Sequence, residues 1–292
     1  MLRRRVLIIA NPAAGSRHRS RRRLGEIAAA LERSGCSVII RHAGAASGDA
    51  ERLARDAEAD FEVIVAAGGD GTIQAVANGI AGSSRTLAVL PLGTVNVLAR
   101  EIGLPRDPQQ LAELIAEGTA SPIWPGLAGD RLFLTMASSG FDAEIVAAVN
   151  PRLKRRLGRL AFAWAIVTCW CSYQQRELRV RIDGVDHRAA TVIAAKARFY
   201  AGPYVIAPTA DLAEPMLDFV LFSRSGRLAV LRYLAGLLGG TLKRRGDVTW
   251  LRGRQAIISA DQPAPVQADG EIVACLPVAL AVADQPLLLI RP

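Results

Sequence analysis

The stretch "VIVAAGGDGTIQAVANGI", residues 63–80, joins an apolar run to two glycines, an aspartate, a third glycine and a threonine. The apolar run predicts a buried strand, and the residues after Gly71 follow a helical pattern. Gly68 and Gly69 permit backbone angles and close approaches that a side chain would forbid. Because the first N–H groups of a helix lack partners and lie at its positive dipole end, the junction is typical of a phosphate-binding site.

The carboxylate in this stretch needs a specific role, because it would repel phosphates. Asp70 fits if it meets the phosphates through Mg²⁺ or accepts the proton of an attacking hydroxyl. Thr72 is expected at the start of the helix, where it caps the helix or donates to a phosphate oxygen. The structural alternative is a tight turn that Asp70 caps.

The surrounding sequence alternates between strand-like and helix-like segments through the first third of the chain. Continuous apolar strands that alternate with helices predict an α/β domain with a parallel sheet covered on both faces. After about Pro122, short strand-like runs dominate and predict an antiparallel β-sandwich. We therefore predict a Rossmann-like α/β domain, residues 1–122, and an antiparallel β-sandwich domain, residues 123–292, with a cleft between them. Return of the last segment to the first domain is left open.

Two further loops follow predicted strands. "ANPAAGS", residues 10–16, offers Asn11 to a base or ribose and Gly15 to phosphates. In "PLGTVNVLAR", residues 91–100, Gly93 and Thr94 open another helix that has Asn96 in its first turn. Because ligands of parallel sheets bind at the carboxyl ends of the strands, the three loops together predict a nucleotide triphosphate site. The chain has neither GxxxxGK[ST] nor GxGxxG, which argues against a P-loop or dinucleotide fold.

The composition favours anionic partners. The 292 residues contain 36 Lys and Arg and 27 Asp and Glu, and 36 − 27 = 9 gives the net charge of +9. Lys and Arg cluster at residues 3–5, 17–23, 154–156 and 243–245, and aromatic residues do not alternate with them. Nucleotides and lipids are therefore better candidates for the anionic partner than nucleic acid is. The four cysteines lack metal-binding spacing and are expected to be buried in a reducing compartment. No apolar run reaches the ~20 residues that span a bilayer, so we expect a cytoplasmic protein, free or peripheral to the inner membrane face.

The motifs as a set resemble the catalytic domain of the diacylglycerol kinase superfamily, which includes bacterial lipid kinases and the sphingosine and ceramide kinases. The resemblance begins with "NPAAG", "GGDGT" and "LPLGTVNVLAR". It continues through "GFDAEI" (140–145), "YAGPYVIAPTADLAEPMLDFVLF" (200–222) and "QADGE" (267–271), so it covers nearly the whole chain. It implies a kinase that uses ATP and Mg²⁺ to phosphorylate a hydroxyl of a diacylglycerol or sphingoid-like lipid at the membrane surface.

The resemblance also assigns roles to residues. It places ATP against Asn11, Gly69, Asp70, Gly71, Thr72 and Thr94, and the loop argument above adds Gly15, Gly68, Gly93 and Asn96. It brings Asp269, Gly270 and Glu271 to the same site. Asp269 is then the general base and Asp70 positions Mg²⁺ and phosphates; whether Asp70 is the base instead is left open. Arg155 or Arg156 resembles a phosphate-binding residue, with a solvated helix face as the alternative. Asp142 resembles a contact to the lipid head, with a turn or cap as the alternative.

The sequence departs from the family pattern in places. Ala75 stands where relatives have an acidic residue, and Val97 and Leu98 replace an Asp-Phe pair. The Asp-Asp-Gly that helps to hold a structural metal in some bacterial members is replaced by Ala213-Glu214-Pro215. The resemblance then leaves Asp211 and Glu214 as the candidate cation ligands.

Two other functional classes stay open at this point. One is an NAD kinase-like enzyme that phosphorylates a soluble substrate, and the other is a non-catalytic nucleotide or lipid sensor. The segment Leu157–Trp170 is uncharged after Arg159, and it is either a helix that docks on a membrane or a core helix of the second domain. The identity of the lipid, the regulation and the oligomeric state, monomer or homodimer, are left open.

Overall fold

The computed structural model describes residues 4–44, 46, 48–149, 159–171 and 177–292. The chain divides into two compact units, the first comprising Met1–Ile123 with Gln285–Pro292 and the second comprising Trp124–Asp284. Arg155 and Arg156 lie outside the described residues. An α/β unit with a largely parallel sheet and an antiparallel β-sandwich unit are both present, so the predicted fold class is confirmed.

The first unit contains one six-stranded sheet. Its strands are β1 (Arg5–Ala10), β2 (Ser37–His42), β3 (Val63–Gly68), β4 (Thr86–Pro91), β5 (Ala120–Ile123) and β20 (Leu287–Ile290). The strand order is β2-β1-β3-β4-β20-β5, and only the β20–β5 pair is antiparallel. The carboxyl ends of β1, β3 and β4 therefore share one edge, where the sequence predicted a ligand site.

Helices cover this sheet. They are α1 (Arg17–Arg33), α2 (Asp49–Arg55), α3 (Asp70–Ile80), α4 (Val97–Glu101) and α5 (Pro108–Glu117). Helix α3 begins two residues before the predicted Thr72 and continues through Gly79, although glycine commonly ends a helix. Gly79 instead lets α2 pack closely, since a Cβ there would lie 2.4 Å from the Glu51 carbonyl oxygen and 2.7 Å from the Ala54 Cβ.

The second unit is built on two antiparallel six-stranded sheets and a two-stranded ribbon of β12 (Phe199–Tyr200) and β13 (Tyr204–Val205). The sheet of order β10-β9-β16-β19-β6-β7 contains β6 (Gly126–Ala128), β7 (Arg131–Phe133), β9 (Leu178–Ile182), β10 (Val185–Ala189), β16 (Gln255–Ala260) and β19 (Val278–Val282). The sheet of order β15-β14-β11-β8-β17-β18 contains β8 (Met136–Ser139), β11 (Thr191–Ala195), β14 (Leu217–Phe222), β15 (Val248–Gly253), β17 (Pro265–Ala268) and β18 (Glu271–Cys275). Alternate residues of both sheets, such as Val180 and Phe219, form one apolar core, which makes the pair a sandwich.

Helices lie against the outer face of the second of these sheets. They are α6 (Phe141–Ala148), α7 (Arg159–Cys171) and α8 (Arg227–Leu238). Side chains of all three helices share a buried apolar cluster that includes Phe141, Cys169 and Val230. The cysteine prediction was wrong in part, because Cys171 and Cys275 are exposed. Within the described residues, no helix combines the length and the apolar composition that a bilayer span requires.

Candidate functional site

The first loop of the site, residues 11–16, is fixed by the side chain of Asn11. The Asn11 backbone N–H donates to the Ala67 carbonyl oxygen at 2.9 Å. The Asn11 Nδ2 donates to Thr72 Oγ1 at 3.1 Å, and its Oδ1 accepts from the Ala13 N–H at 2.9 Å. Both ends of this amide are therefore engaged within the protein. Asn11 thus holds the loop in place, while one N–H and one lone pair of its amide remain, and its contact with a base or ribose stays a prediction.

The second loop, residues 68–72, places Gly69 at the N-cap of α3 and Asp70 in its first turn. Gly69 has φ −94° and ψ −175°, so its extended backbone does not require glycine. Glycine is required at position 68 for lack of space, because a Cβ there would lie 2.4 Å from Thr72 Oγ1. Thr72 is buried in the third helical position and does not cap the helix, which corrects the predicted cap. The Thr72 and Ile73 N–H groups both donate to the Gly69 carbonyl oxygen, at 2.9 and 3.1 Å, and they close the first turn of α3.

The carboxylate of Asp70 joins the second loop to the third, residues 92–96. Asp70 Oδ1 accepts from the Leu98 N–H at 3.4 Å, at the start of α4. Burial raises the pKa of Asp70, and the N–H groups of Val97, Leu98 and Asn96 oppose that shift by stabilising the charged form. Asp70 is still partly exposed, so the carboxylate is desolvated but reachable.

Glycine at two positions lets the three loops touch. The Leu92 and Gly93 N–H groups both donate to the Gly68 carbonyl oxygen, at 2.8 and 3.1 Å. A Cβ on Gly93 would lie 2.6 Å from the Gly69 Cα. Gly15 has φ +62°, and a Cβ there would lie 2.3 Å from the Leu92 carbonyl oxygen. The three loops thus form one continuous backbone surface at the carboxyl ends of β1, β3 and β4.

The polar residues of the third loop divide into a structural and an exposed group. Asn96 has φ +51° and is the N-cap of α4 instead of lying in its first turn, as had been predicted. Its Nδ2 donates to the Gly93 carbonyl oxygen at 2.8 Å and its Oδ1 accepts from the Gly93 N–H at 3.1 Å, which closes the loop. Thr94 is exposed at the tip of the loop. Thr94 can therefore donate to a ligand, whereas Asn96 shapes the turn.

In the second unit, Asp142 is the centre of a polar network at the start of α6. Its Oδ2 accepts from Ser138 Oγ and from Gln267 Nε2, the latter at 3.0 Å, and its Oδ1 accepts from the Tyr200 hydroxyl. Burial and the adjacent carboxylate raise the pKa of Tyr200 well above its ordinary value, so Tyr200 stays a donor. The sequence motifs did not single out Ser138 or Tyr200, because Tyr200 lies 58 residues from Asp142.

An apolar pocket adjoins this carboxylate. It lies between the outer face of the second sheet and helices α6 and α8, and its cavity volume is about 80 Å³. The residues that line it besides Asp142 and Tyr200 are Phe141, Ile145, Thr191, Ile193, Ile206, Phe222, Val230, Tyr233, Leu234, Leu237 and Leu242. A carboxylate on the wall of an apolar pocket suits an amphiphile that has a hydroxyl head and a hydrocarbon body.

Asp269 is a buried carboxylate at the turn between β17 and β18, with φ +48°. Its Oδ1 accepts from the N–H groups of Thr135 at 2.9 Å and Met136 at 3.1 Å and from the Thr135 hydroxyl. Within the described residues its Oδ2 accepts from the Leu134 N–H alone, at 2.7 Å, which leaves a lone pair on that oxygen. Burial raises the pKa of Asp269, and these donors oppose the shift. Gly270 follows with φ +85°, and Glu271 is exposed.

The cation predicted at Asp211 and Glu214 is not supported by the positions of their side chains. Asp211 Oδ1 accepts from the Ala213 N–H at 2.8 Å, and the Glu214 carboxylate pairs with Arg252. The buried Lys196 ammonium lies against the backbone of the same turn and donates to the Glu214 carbonyl oxygen at 2.5 Å. The sequence reasoning did not identify Lys196, although a lysine within the apolar run "TVIAAKA" was a visible signal.

Two family models match the two units in turn. The model described as "Diacylglycerol kinase catalytic domain" matches residues 5–127. The model described as "YegS C-terminal NAD kinase beta sandwich-like domain" matches residues 135–291, which is more than half of the chain. The two models together therefore account for nearly all of the sequence.

Relatives also match over long stretches. A "Diacylglycerol kinase" from Bacillus subtilis (strain 168) is 28% identical over 279 residues, 94% of this chain and 91% of the relative. A "Probable lipid kinase YegS-like" from Pseudomonas putida is 33% identical over 232 residues, 77% of this chain and 76% of the relative. A crystal structure described as a diacylglycerol kinase from Bacillus anthracis str. Sterne shares the fold, with a TM-score of 0.80 at 22% identity over 100% of this chain and 98% of that one. The resemblance predicted from the motifs is confirmed, and the chain belongs to the diacylglycerol kinase family of lipid kinases.

Proposed function

We propose that the chain transfers the γ-phosphate of ATP to the hydroxyl of a lipid, either a diacylglycerol or a sphingoid-like lipid. The observation that carries the proposal is the contact among the three loops in the first unit. Glycines bring the three loop backbones into contact, and α1 and α3 begin at the same edge of the sheet, where their N-termini favour an anion. The positive dipole ends of helices favour anions, and a triphosphate is a polyanion.

In this proposal the loop residues have distinct tasks. The triphosphate lies against Gly15, Gly69, Gly71 and Gly93, and Thr94 donates to it from the loop tip. Gly68, Asn11 and Asn96 maintain the shape of the loops, and Thr72 anchors Asn11. Phosphoryl transfer depends mainly on such positioning and on charge neutralisation.

Asp70 is proposed as the protein carboxylate that holds Mg²⁺. A single partly exposed carboxylate fits this ion, because Mg²⁺ in kinase sites takes one or two carboxylates and completes its shell with water and phosphate oxygens. When bound, Mg²⁺ neutralises charge that develops on the transferred phosphate. The Leu98 N–H keeps the Asp70 side chain in one orientation.

Asp142 and Asp269 are proposed to act on the lipid. Asp142 accepts a hydrogen bond from the polar head while the hydrocarbon chain enters the adjoining apolar pocket. Asp269 accepts the proton of the attacking hydroxyl at Oδ2, the oxygen with a remaining lone pair. The raised pKa of Asp269 suits this task, because a base must hold the proton that it takes. Gly270 and Glu271 lie at the same turn, and Glu271 is exposed.

Helices α7 and α8 are proposed to rest on the membrane. Along α8, Leu228, Leu231, Ala235 and Leu238 are exposed and recur at helical spacing as one apolar stripe. Trp164 of α7 is 63% exposed, while the opposite side of α7 joins the buried cluster, so the helix is both a core and a surface element. Neither helix contains an acidic residue. Arg227 and Arg232 are the exposed basic residues of α8, and an apolar stripe beside these charges fits an anionic bilayer better than it fits a second copy with the same charges.

Changing the stripe is expected to weaken vesicle binding without affecting the fold. The double variant Leu228→Glu/Leu231→Glu should lower partitioning onto vesicles of phosphatidylcholine with phosphatidylglycerol by about tenfold or more, because burial of each leucine is lost. Vesicle co-sedimentation without ATP measures this. The matched control is Val185→Glu/Ile257→Glu, which introduces the same two negative charges. Val185 and Ile257 are 59% and 55% exposed and lie on the sheet instead of on α8. Equal losses in both variants, or a wild-type dimer that Leu228→Glu/Leu231→Glu converts to monomer, would contradict this assignment.

The function itself is tested with labelled ATP, Mg²⁺ and a total lipid extract. We expect label in the organic phase for the wild-type protein, and about tenfold less for Asp142→Asn, because a hydrogen bond to a charged group is lost. The matched control is Asp186→Asn, an exposed carboxylate of the same unit that pairs with Arg181. Label in a water-soluble product such as phosphorylated NAD would instead establish the soluble-substrate alternative. ATP binding with no product in either phase would establish a sensor.

A further inference from the structure

The ammonium of Lys196 is fully buried at the end of β11 and is held by the backbone of a single turn. Its Nζ donates to the carbonyl oxygens of Asp211 at 2.9 Å, Glu214 at 2.5 Å and Met216 at 2.9 Å. The three protons of an ammonium match these three acceptors. The Lys196 side chain is 0% exposed, so water does not share in this arrangement.

The carboxylates around this turn form hydrogen bonds or ion pairs with residues other than Lys196. Asp218 Oδ1 accepts from the Thr209 hydroxyl at 2.5 Å, and its Oδ2 lies 3.6 Å from Arg252 Nε. The Glu214 side chain also pairs with Arg252. Burial lowers the pKa of Lys196 to about 8 while nearby carboxylates oppose the shift, so the amine stays protonated at neutral pH. The ammonium is therefore a buried cation that backbone oxygens solvate.

A ring of backbone carbonyl oxygens closed by one turn is also the ligand type that hard metal cations take. The family resemblance had led us to expect a metal ion at Asp211 and Glu214. In the described part of the chain, no group of three or more His, Cys, Asp or Glu side chains is placed to hold a metal ion. The donor set at this turn is complete with the lysine in it, so a metal ion does not fit.

We propose that Lys196 takes the place of a structural metal ion in this protein, as a covalently attached cation that holds residues 211–216 in shape. The turn matters because Trp124 donates its N–H to the Leu212 carbonyl oxygen at 2.8 Å, and because the chain just before the turn contains Ile206, which lines the apolar pocket. The chain then folds this region independently of the supply of divalent cations. This inference does not depend on the kinase proposal, because its readout is stability.

Thermal unfolding without nucleotide tests the inference on the full chain. The wild-type Tm should not change when EDTA replaces Mg²⁺ or Ca²⁺. Lys196→Met should lower the Tm by about 10 °C, because three buried carbonyl groups lose their partner. The matched control, Lys243→Met, changes an exposed lysine and should leave the Tm within about 1 °C.

A second variant separates the loss of the charge from the loss of packing. Lys196→Ala opens space beside the three carbonyl groups, and Mg²⁺, Ca²⁺ or ethylammonium should raise its Tm by several degrees more than that of the wild type. A wild-type Tm that falls in EDTA, a Lys196→Met variant as stable as the wild type, or a Lys196→Ala variant that no cation stabilises would overturn the inference. If neither lysine variant folds, the wild-type measurement in EDTA still decides, because a bound metal would be detected there.

Discussion

Replacing Asp70 with asparagine is expected to lower kcat for lipid phosphorylation by a factor on the order of 10²–10³, because charge neutralisation at the transferred phosphate is lost. Asparagine keeps an oxygen that can accept from the Leu98 N–H, so the contact between the second and third loops is retained. The measurement is initial rate against ATP and Mg²⁺ concentration. The matched control, Asp56→Asn, removes an exposed carboxylate of the same unit and should leave kcat unchanged.

The stability of the Asp70 variant separates lost chemistry from lost folding. Burial raises the pKa of Asp70, so the folded protein holds that proton more tightly than the unfolded chain does. The ionised carboxylate therefore costs folding free energy at pH values above its folded pKa. Since asparagine carries no charge, Asp70→Asn should have a Tm equal to or above that of the wild type at neutral pH. An inactive variant with a clearly lowered Tm would show that Asp70 is structural.

Asp269→Asn is expected to lower kcat by a factor on the order of 10²–10⁴, the usual contribution of a general base. The substitution also costs stability, because an amide Nδ2 in place of Oδ2 would face the Leu134 N–H as a second donor. Initial rates are therefore divided by the folded fraction from a Tm measured for each variant. The acid limb of the pH–rate profile should change as well, since the titrating base is gone.

Thr135→Val is the matched control for Asp269. It removes the hydroxyl bond to Asp269 Oδ1 and leaves Oδ2 unchanged. We expect the free energy of unfolding to fall by about 1–3 kcal/mol, with a decrease in Tm comparable to that of Asp269→Asn. The kcat should stay within a few-fold of the wild type. If Thr135→Val loses as much activity per folded molecule as Asp269→Asn does, then the role of Asp269 is structural. It would only hold the β7–β8 connection against the turn between β17 and β18. The proton acceptor would then have to be another group.

The sequence predicted the fold class and the meeting of three loops because both follow from local patterns. Parallel strands bring their carboxyl ends to one edge whatever the details of packing, so Asn11, Asp70 and Gly93 could be grouped in advance. The reasons for individual residues were less predictable. Gly68 is needed for the space that Thr72 fills rather than for a special backbone angle, and only the packed structure shows which applies.

Contacts between distant residues set the limit of the sequence reasoning in the second unit. Asp142 meets Gln267 across 125 residues, and Asp269 meets Thr135 across 134. Pairing between β8 and β17 creates both contacts, and strand register between short apolar runs cannot be read from composition. Lys196 was missed for the same reason, since its acceptors are backbone groups that any residue type could supply.

Strand β20 has a consequence for the order in which the protein matures on the ribosome. Leu288 pairs with Thr86 of β4 on one side and with Pro122 of β5 on the other, and these neighbours are synthesised more than 150 residues earlier. A nascent chain lacking β20 leaves two strand edges bare in the α/β sheet while the whole sandwich is already available to fold. The α/β unit is therefore completed last, although most of it is translated first.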